Sequence, residues 1–282
     1  MKLKNVSMVY KNKKGIHNID LDTSQNKVIA VLGHNGCGKT TLFKTMLGLL
    51  KFQEGELSVN RGVSIGYLPE CRCLYQTMTV CHHIRFMGKL RKMSKIEIEV
   101  NMNQWLASFK MEHLKYETIS SLSKGNQQKV QFICAMIHNP NLMILDEPMS
   151  GLDIVNIQIF KKIITQEIEK GTKIILSSHQ YDDVEEFSEY VVILKEGKIV
   201  LQGYLRNLKD DYDYEFISLS DDNKQKYKDH KDVLGIETQG HTSRYRVSKK
   251  SKLLASVLEK RRLNTVKLEA VSLKDLVSSY YE

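Results

Sequence analysis

No apolar run in this 282-residue chain approaches the roughly 18 residues that a helix needs to cross a bilayer, and the longest, such as Tyr190 to Leu194, are the size of a strand. The chain itself is therefore expected not to span a membrane. It opens Met-Lys-Leu-Lys-Asn and passes into alternating sequence without an apolar signal core, which predicts that it is not exported. Its five cysteines are odd in number and scattered, which argues against a disulfide framework and for a reducing, cytosolic compartment. Cys71, Cys73, Cys81, His82 and His83 fall close together, but C-x-C followed by C-H-H lacks the paired spacings of zinc sites. A basic arm is missing too. The net charge of +9 is dispersed, with 16 basic against 13 acidic side chains over residues 206–282. Its densest cluster, Arg85, Lys89, Arg91, Lys92 and Lys95, reads as a solvated helix face, with proximity to anionic lipid headgroups as the alternative. Basic segments interleaved with aromatics are not visible, so nucleic acid is not an expected partner. The composition, 41% apolar and 27% charged, suits one large domain, or one domain with a small appendage.

Within that ordinary composition, residues 33–40 read Gly33-His34-Asn35-Gly36-Cys37-Gly38-Lys39-Thr40 directly after the apolar run Val28 to Leu32. This is a phosphate-binding loop following a buried strand. The glycines let backbone N–H groups turn inward around phosphate oxygens, Lys39 reaches the outer phosphates, and Thr40 offers a hydroxyl to Mg²⁺. A helix beginning near Thr41 aims its positive dipole end at the same anion. Cys37, inside this nest, occupies a place that favours a thiolate.

A second apolar strand, Leu142 to Leu145, delivers Asp146 and Glu147 at its C-terminal end, and Pro148 ends it. One carboxylate suffices to hold Mg²⁺ beside a phosphate loop. Asp146 suits the metal, and Glu147 suits polarising a water for attack on a γ-phosphate. The alternative, a surface acidic pair, fits poorly with a strand stopped at the ligand-binding edge of an open sheet. A third apolar run, Ile174 to Leu176, ends in Ser177, Ser178 and His179. A lone histidine is usually structural, but this position favours a γ-phosphate contact. Leu122-Ser123-Lys124-Gly125-Asn126-Gln127-Gln128-Lys129 reads as a helix N-terminus that Ser123 and Asn126 could cap, and such an end binds anions. Its chemistry alone does not say whose phosphate it meets.

Taken in order, these segments resemble an ATP-binding subunit of a bacterial ABC transporter over residues 1 to about 205. Tyr10 resembles the A-loop aromatic that stacks on adenine, residues 33–40 match Walker A, and Tyr67-Leu68-Pro69-Glu70 resembles the Q-loop. Residues 122–127 resemble the signature motif, 142–147 match Walker B, Ser150-Gly151-Leu152-Asp153 resembles the D-loop, and His179 the switch histidine. Glu70 stands where most members carry Gln, and it could reach Mg²⁺ through water. Lys124 and Asn126 depart from the signature, which keeps Ser123 and Gly125, and Ile154 replaces a proline often found after the D-loop. Glu70 and the Lys-Gly-Asn signature recur in the ABC-2 type exporter group.

The resemblance implies an α/β P-loop NTPase with a mixed RecA-like core, an antiparallel β subdomain over residues 1–32 and 55–66, and a helical subdomain over about 71–135. Residues 206–282 would form a small α+β appendage. It implies catalytic roles for Lys39, Glu147 and His179, and metal ligation by Thr40, Asp146 and Glu70. Contacts to ATP fall to Tyr10, Gly33, His34, Asn35, Gly36, Cys37, Gly38, Lys39, Thr40, Thr41 and Glu70, and to Ser123, Gly125, Asn126 and Asp153. Because each ATP lies between one copy's Walker A and the other's signature, a second ATPase copy, identical or paired, is implied. So are separate transmembrane permease subunits, with this chain peripheral on the cytoplasmic face.

Elsewhere, Ile84, Met87 and Leu90, then Trp105, Leu106 and Phe109, space as helices. Val191 to Leu201 reads as a hairpin turning at Lys195 to Lys198, and Lys209 to Tyr214 as a linker. Strands are expected at Tyr214 to Leu219 and Arg244 to Val247, and helices at Leu253 to Lys260 and Ser272 to Leu276.

Overall fold

A computed structural model of the chain describes residues 1–220, 227–253, 257 and 266–281. It divides into two compact units, Met1–Gln202 and Gly203–Glu282. The first unit begins with strands β1 (Lys2–Val9), β2 (Gly15–Asp22) and β3 (Val28–Leu32), helix α1 (Lys39–Met46), and strands β4 (Glu54–Ser58) and β5 (Ile65–Leu68). It continues with α2 (Val80–Leu90), α3 (Lys95–Ser108), α4 (Lys124–Met136), β6 (Leu142–Asp146), α5 (Ile154–Glu169), β7 (Lys173–Ser177), α6 (Tyr181–Glu185), β8 (Tyr190–Lys195) and β9 (Lys198–Tyr204).

The strands β3, β6 and β8 are apolar runs without alternation because both faces of their sheet are covered. They lie in a six-stranded sheet ordered β5-β6-β7-β3-β8-β9, parallel from β5 through β8. Its register sets Val31 opposite Ser177, and Ser177 opposite Asp146. The C-terminal ends of three neighbouring strands therefore discharge their loops at one edge, where open parallel sheets bind ligands. The strands β2-β1-β4 form a separate antiparallel sheet. Although β3 and the first two residues of β5 fall within the segments expected to be antiparallel, both strands join the parallel sheet, as the continuous burial of β3 and the parallel register of both require.

Between the two sheets, Leu3, Val6, Ile16 and Ile19 pack with Leu42, Phe43 and Met46 of α1 in one core cluster. Burying each such side chain contributes about 1.5–3 kcal/mol, so α1 is fixed by its apolar underside while its N-terminus stays at the sheet edge. The β8–β9 hairpin turns through Glu196 and Gly197 at φ 49° and 76°, the pair of left-handed residues that a tight hairpin needs.

Thr79 caps α2 by accepting from His82 N–H, and Ser94 with Glu97 forms a capping box on α3. Phe109, Phe132 and Phe160 meet edge-to-face or tilted at 5.3–5.6 Å, joining α3, α4 and α5. Leu90, expected on the buried stripe of α2, is 61% exposed, and His83, with Val80, Cys81 and Ile84, forms the buried face instead.

The second unit contains α7 (Leu205–Asp210), strands β10 (Tyr214–Ser220), β11 (Val233–Gln239), β12 (Thr242–Ser248) and β13 (Val266–Glu269), and α8 (Leu273–Ser279). Its antiparallel sheet runs β11-β12-β10-β13. Ile217, Leu219, Tyr245 and Val247 bury one face, and Arg244 stacks 3.5 Å over the Phe216 ring and pairs with both oxygens of Asp275. Half of the expected linker belongs to regular elements. Lys209 and Asp210 end α7, Tyr214 opens β10, and Tyr212 stacks on Tyr214 while its hydroxyl meets Ser279 Oγ at 2.6 Å. Two aromatic anchors outweigh the polar composition there. The helix expected at Leu253 to Lys260 lies, apart from Leu253 and Val257, outside the described residues.

Candidate active site

A cavity of about 300 Å³ opens at the C-terminal edge of the parallel sheet, lined by Tyr10, Asn12, Lys14, Gly15, Asn35, Gly36, Gly38, Lys39, Thr40, Thr41, Glu70 and Glu147. Gly38 precedes α1 at φ 116°, and no side chain caps the helix, so its first N–H groups are left for a ligand. A Cβ at Gly38 would press on Gly15 O and Ile16 Cγ2, both at 3.1 Å, so the backbone itself approaches β2 closely. Lys39 is buried and donates from Nζ to Gly33 O (2.7 Å) and His34 O (3.3 Å). An ammonium has three donors, and the third is available to an anion in the cavity.

The register described above brings a polar row together beneath this loop. Thr40 Oγ1 donates to Asp146 Oδ2 at 2.6 Å, and Ser177 Oγ donates to Asp146 Oδ1 at 2.7 Å. The Glu147 N–H donates to Ser177 Oγ at 3.0 Å. Hard oxygen donors one hydrogen bond apart, Asp146 and Thr40, fit Mg²⁺. Glu70 also lines the cavity.

Glu147 sits in the left-handed region at φ 52°, an uncommon conformation for a non-glycine residue. That turn swings its carboxylate from the strand end into the cavity. Oε2 accepts from the His179 N–H at 3.3 Å, while Oε1 is buried and lacks a hydrogen bond although His179 Nε2 lies 3.2 Å away. The ring's Nε2–H is taken by Asn35 Oδ1 at 2.7 Å. Burial pushes the Glu147 carboxyl up to about 7, with the nearby Lys39 charge opposing the shift. Burial and then Lys39 hold His179 below its usual value, so the ring is neutral at pH 7. A base poised near neutrality, facing a phosphate loop, is what water activation demands.

The other expected contacts are placed differently. Cys37 is 6% exposed and belongs to the apolar core cluster, so the loop turns the thiol away from the nest where the sequence had suggested a thiolate. Ser123 caps α4, accepting from Asn126 N–H at 3.3 Å. Asp153 caps α5, taking both the backbone N–H and the side-chain amide of Asn156 at 2.8 and 2.7 Å. A Cβ on Gly125 would lie 3.0 Å from Asn156 Nδ2, which puts the signature glycine against the D-loop helix. These four residues gather with one another, and none lines the cavity.

Two glutamines on α4 support the cavity and were not expected. Gln128 donates to Pro148 O at 3.2 Å, bracing the segment after Glu147. Gln131 donates to Pro69 O (2.8 Å) and Cys71 O (3.2 Å) and accepts from Cys73 N–H (3.1 Å), bracing the segment around Glu70. Their signal in the sequence is a pair of amides three residues apart on an otherwise buried helix. Asn12 and Lys14, two and four residues past Tyr10, also line the cavity, and no motif in the sequence marks them.

Comparison with known proteins agrees with this geometry. Residues 16–150 match the ABC transporter family. The chain is 42% identical over 208 residues to an uncharacterised ABC transporter ATP-binding protein of Methanocaldococcus jannaschii, covering 74% of this chain and 79% of that one. It is 39% identical over 237 residues to the uncharacterised ABC transporter ATP-binding protein YhaQ of Bacillus subtilis, covering 81% and 80%. A solved ATP-binding subunit of an ABC transporter superposes with a TM-score of 0.68 at 28% identity, over 74% of this chain and 91% of that one. The strand-end carboxylates, the phosphate loop and these relatives together make the chain a member of the ABC transporter ATP-binding subunits, an ABC ATPase.

Proposed function

We propose that residues 1–205 are the ATP-hydrolysing motor of an exporter, with residues 206–282 as an accessory unit. Two copies, identical or paired, close on two ATP molecules and drive separate permease subunits from the cytoplasmic face of the membrane. The observation that carries this reading is the buried Glu147 carboxylate, which lines the cavity beside the Asp146–Thr40 pair.

In this reading Tyr10 stacks on adenine, and the backbone of residues 33–41 cradles the phosphates. Lys39 swings its free donor to the outer phosphates. Mg²⁺, held by Thr40, Asp146 and Glu70, would offset charge on the β- and γ-phosphates. Glu147 takes a proton from the attacking water, and His179, released from Asn35, donates Nε2–H to a γ-phosphate oxygen. Ser123, Gly125 and Asn126 of one copy meet the ATP held by the other, with Asp153 between them. The permease docks near residues 70–90. The exporter assignment rests on Glu70 and the Lys-Gly-Asn signature.

The test is Glu147→Gln. An amide cannot accept the proton, and Asp146 is untouched. Sizing with Mg-ATP is expected to show a monomer becoming a stable dimer, with turnover lost. Wild-type turnover, or a variant that stays monomeric at saturating ATP, would overturn the assignment.

A further inference from the structure

The turn between β1 and β2 brings a second ammonium group to the nucleotide cavity. Tyr10 N–H donates to Lys14 O at 2.7 Å and Lys13 N–H to Tyr10 O at 2.8 Å, so residues 10–14 close on themselves, with Lys13 in the left-handed region at φ 64°. Asn12 Oδ1 accepts from Lys14 N–H at 3.2 Å and braces the turn from within. Gly15 fixes the other side. A Cβ there would collide with Met8 O, and Gly15 O lies 3.1 Å from where a Cβ on Gly38 would stand, so this peptide is pressed against the phosphate loop. Lys14 therefore sits between Tyr10, to which its backbone is bonded, and Gly38, against which its neighbour packs. Tyr10 and Lys14 line one cavity with Gly36, Gly38 and Thr41.

The two ammonium groups that line this cavity are engaged differently. Lys39 Nζ is turned to the carbonyls of Gly33 and His34. Lys14 is exposed and, among the described residues, makes no ion pair and no side-chain hydrogen bond, so all three of its donors remain available. A nucleoside triphosphate runs from base through ribose to the α-, β- and γ-phosphates. With Tyr10 at the base and Glu147 at the γ-phosphate, as in the reading given above, the first anionic group past the base is the α-phosphate. A cation held between Tyr10 and Gly38 meets that group.

We propose that Lys14 binds the α-phosphate, supplying from the β1–β2 turn the charge that Lys39 supplies to the outer phosphates. The bond is a charge-assisted one from a point cation, so it asks for charge more than for a fixed fork of donors. ATP and ADP share the α-phosphate. Lys14 thus holds substrate and product alike, and discrimination between them falls to the groups at the γ-phosphate end of the cavity.

The assignment rests on the placement of the base at Tyr10, and the test separates the two. Dissociation constants of ATP and ADP are measured by calorimetry on the full chain without Mg²⁺, so that no turnover intervenes. Lys14→Met is expected to weaken both nucleotides by the same factor, about tenfold, on the scale of one hydrogen bond to a charged group. Lys14→Arg is expected to regain most of that loss. Lys13→Met, which removes an exposed neighbouring charge outside the cavity lining, is expected to leave both constants unchanged. Phosphorus NMR of bound ADP locates the contact, and the α resonance is expected to differ between the parent and Lys14→Met while the β resonance holds. Unchanged affinity in Lys14→Met, or an equal loss in Lys13→Met, would overturn the proposal. So would a loss confined to ATP, or a shift of the β resonance alone, either of which would move the contact to the outer phosphates. A Tyr10→Ala variant that binds ADP as the parent does would fail the adenine reading alone, and the α resonance would still decide Lys14.

Discussion

His179 Nε2 donates to Asn35 Oδ1 at 2.7 Å while standing 3.2 Å from Glu147 Oε1, so a side chain of the phosphate loop holds the imidazole proton away from the buried carboxylate. Removing the acceptor in Asn35→Ala leaves that ring N–H only the carboxylate. The His179 pKa is then expected to rise, because its charged form gains an anionic partner. Nitrogen NMR of the ring, which reads tautomer and titration together, checks this, and an unmoved titration would show that Asn35 does not govern the ring.

The raised carboxyl of Glu147 makes two pH predictions. A base must be deprotonated, so kcat/KM for ATP is expected to climb with pH through a limb near 7, where burial has pushed this group. Stability runs the other way. Between the ordinary carboxylate value and about 7 the folded state holds a proton that the unfolded state has lost, so this contribution is present at low pH and fades as pH rises through 7. Glu147→Gln removes the buried charge at equal volume. It is expected to stabilise the protein by about 1–3 kcal/mol at pH 8.5 and to change little at pH 5. Thermal melts at the two pH values decide it, and equal shifts at both would refute the burial argument.

Lys39→Ala removes the only side-chain cation that both lines the cavity and bonds the Walker A carbonyls among the described residues. The Gly33 carbonyl loses its bond from Lys39, the His34 carbonyl keeps only the Cys37 N–H at 3.2 Å, and the outer phosphates lose a charge-assisted bond. Turnover is expected to fall at least about 100-fold, on the scale seen when one donor to a developing charge is removed. Steady-state turnover with a circular-dichroism check of folding measures it.

Much of this machinery was legible because apolar runs ending in polar residues must be buried strands, and buried strands of one parallel sheet end at one edge. Gly33 to Thr40, Asp146, Glu147 and His179 all follow from that logic. What the sequence hid depends on three-dimensional direction. Cys37 lies in the nest by position but turns into the core, a matter of loop dihedrals around Gly36 and Gly38. Leu90 has the right spacing for a buried stripe, yet α2 ends there and His83 takes the buried place. The bracing by Gln128 and Gln131 connects residues 20 to 62 positions apart, and a local pattern carries no such information.

Those two glutamines give the most discriminating prediction, because they sit on one helix and brace two different segments that line the cavity. Gln128→Leu frees the Pro148 carbonyl beside Glu147, whereas Gln131→Leu frees the segment carrying Glu70. Gln128→Leu takes the donor from a buried carbonyl and is expected to cost about 1–3 kcal/mol of stability, whereas the part-buried groups freed by Gln131→Leu turn to water and that variant is expected to cost less. Their kinetic effects should divide. Loss of Gln128 loosens the segment carrying Glu147, the base in the proposed reading, and kcat is expected to fall with little change in KM. Loss of Gln131 loosens Glu70, so more Mg²⁺ is expected to be needed for half-maximal turnover, within the roughly 10-fold to 100-fold range of outer-shell changes. Turnover titrated separately in ATP and in Mg²⁺ distinguishes the two, and identical profiles for both variants would mean that α4 acts only as a common structural support.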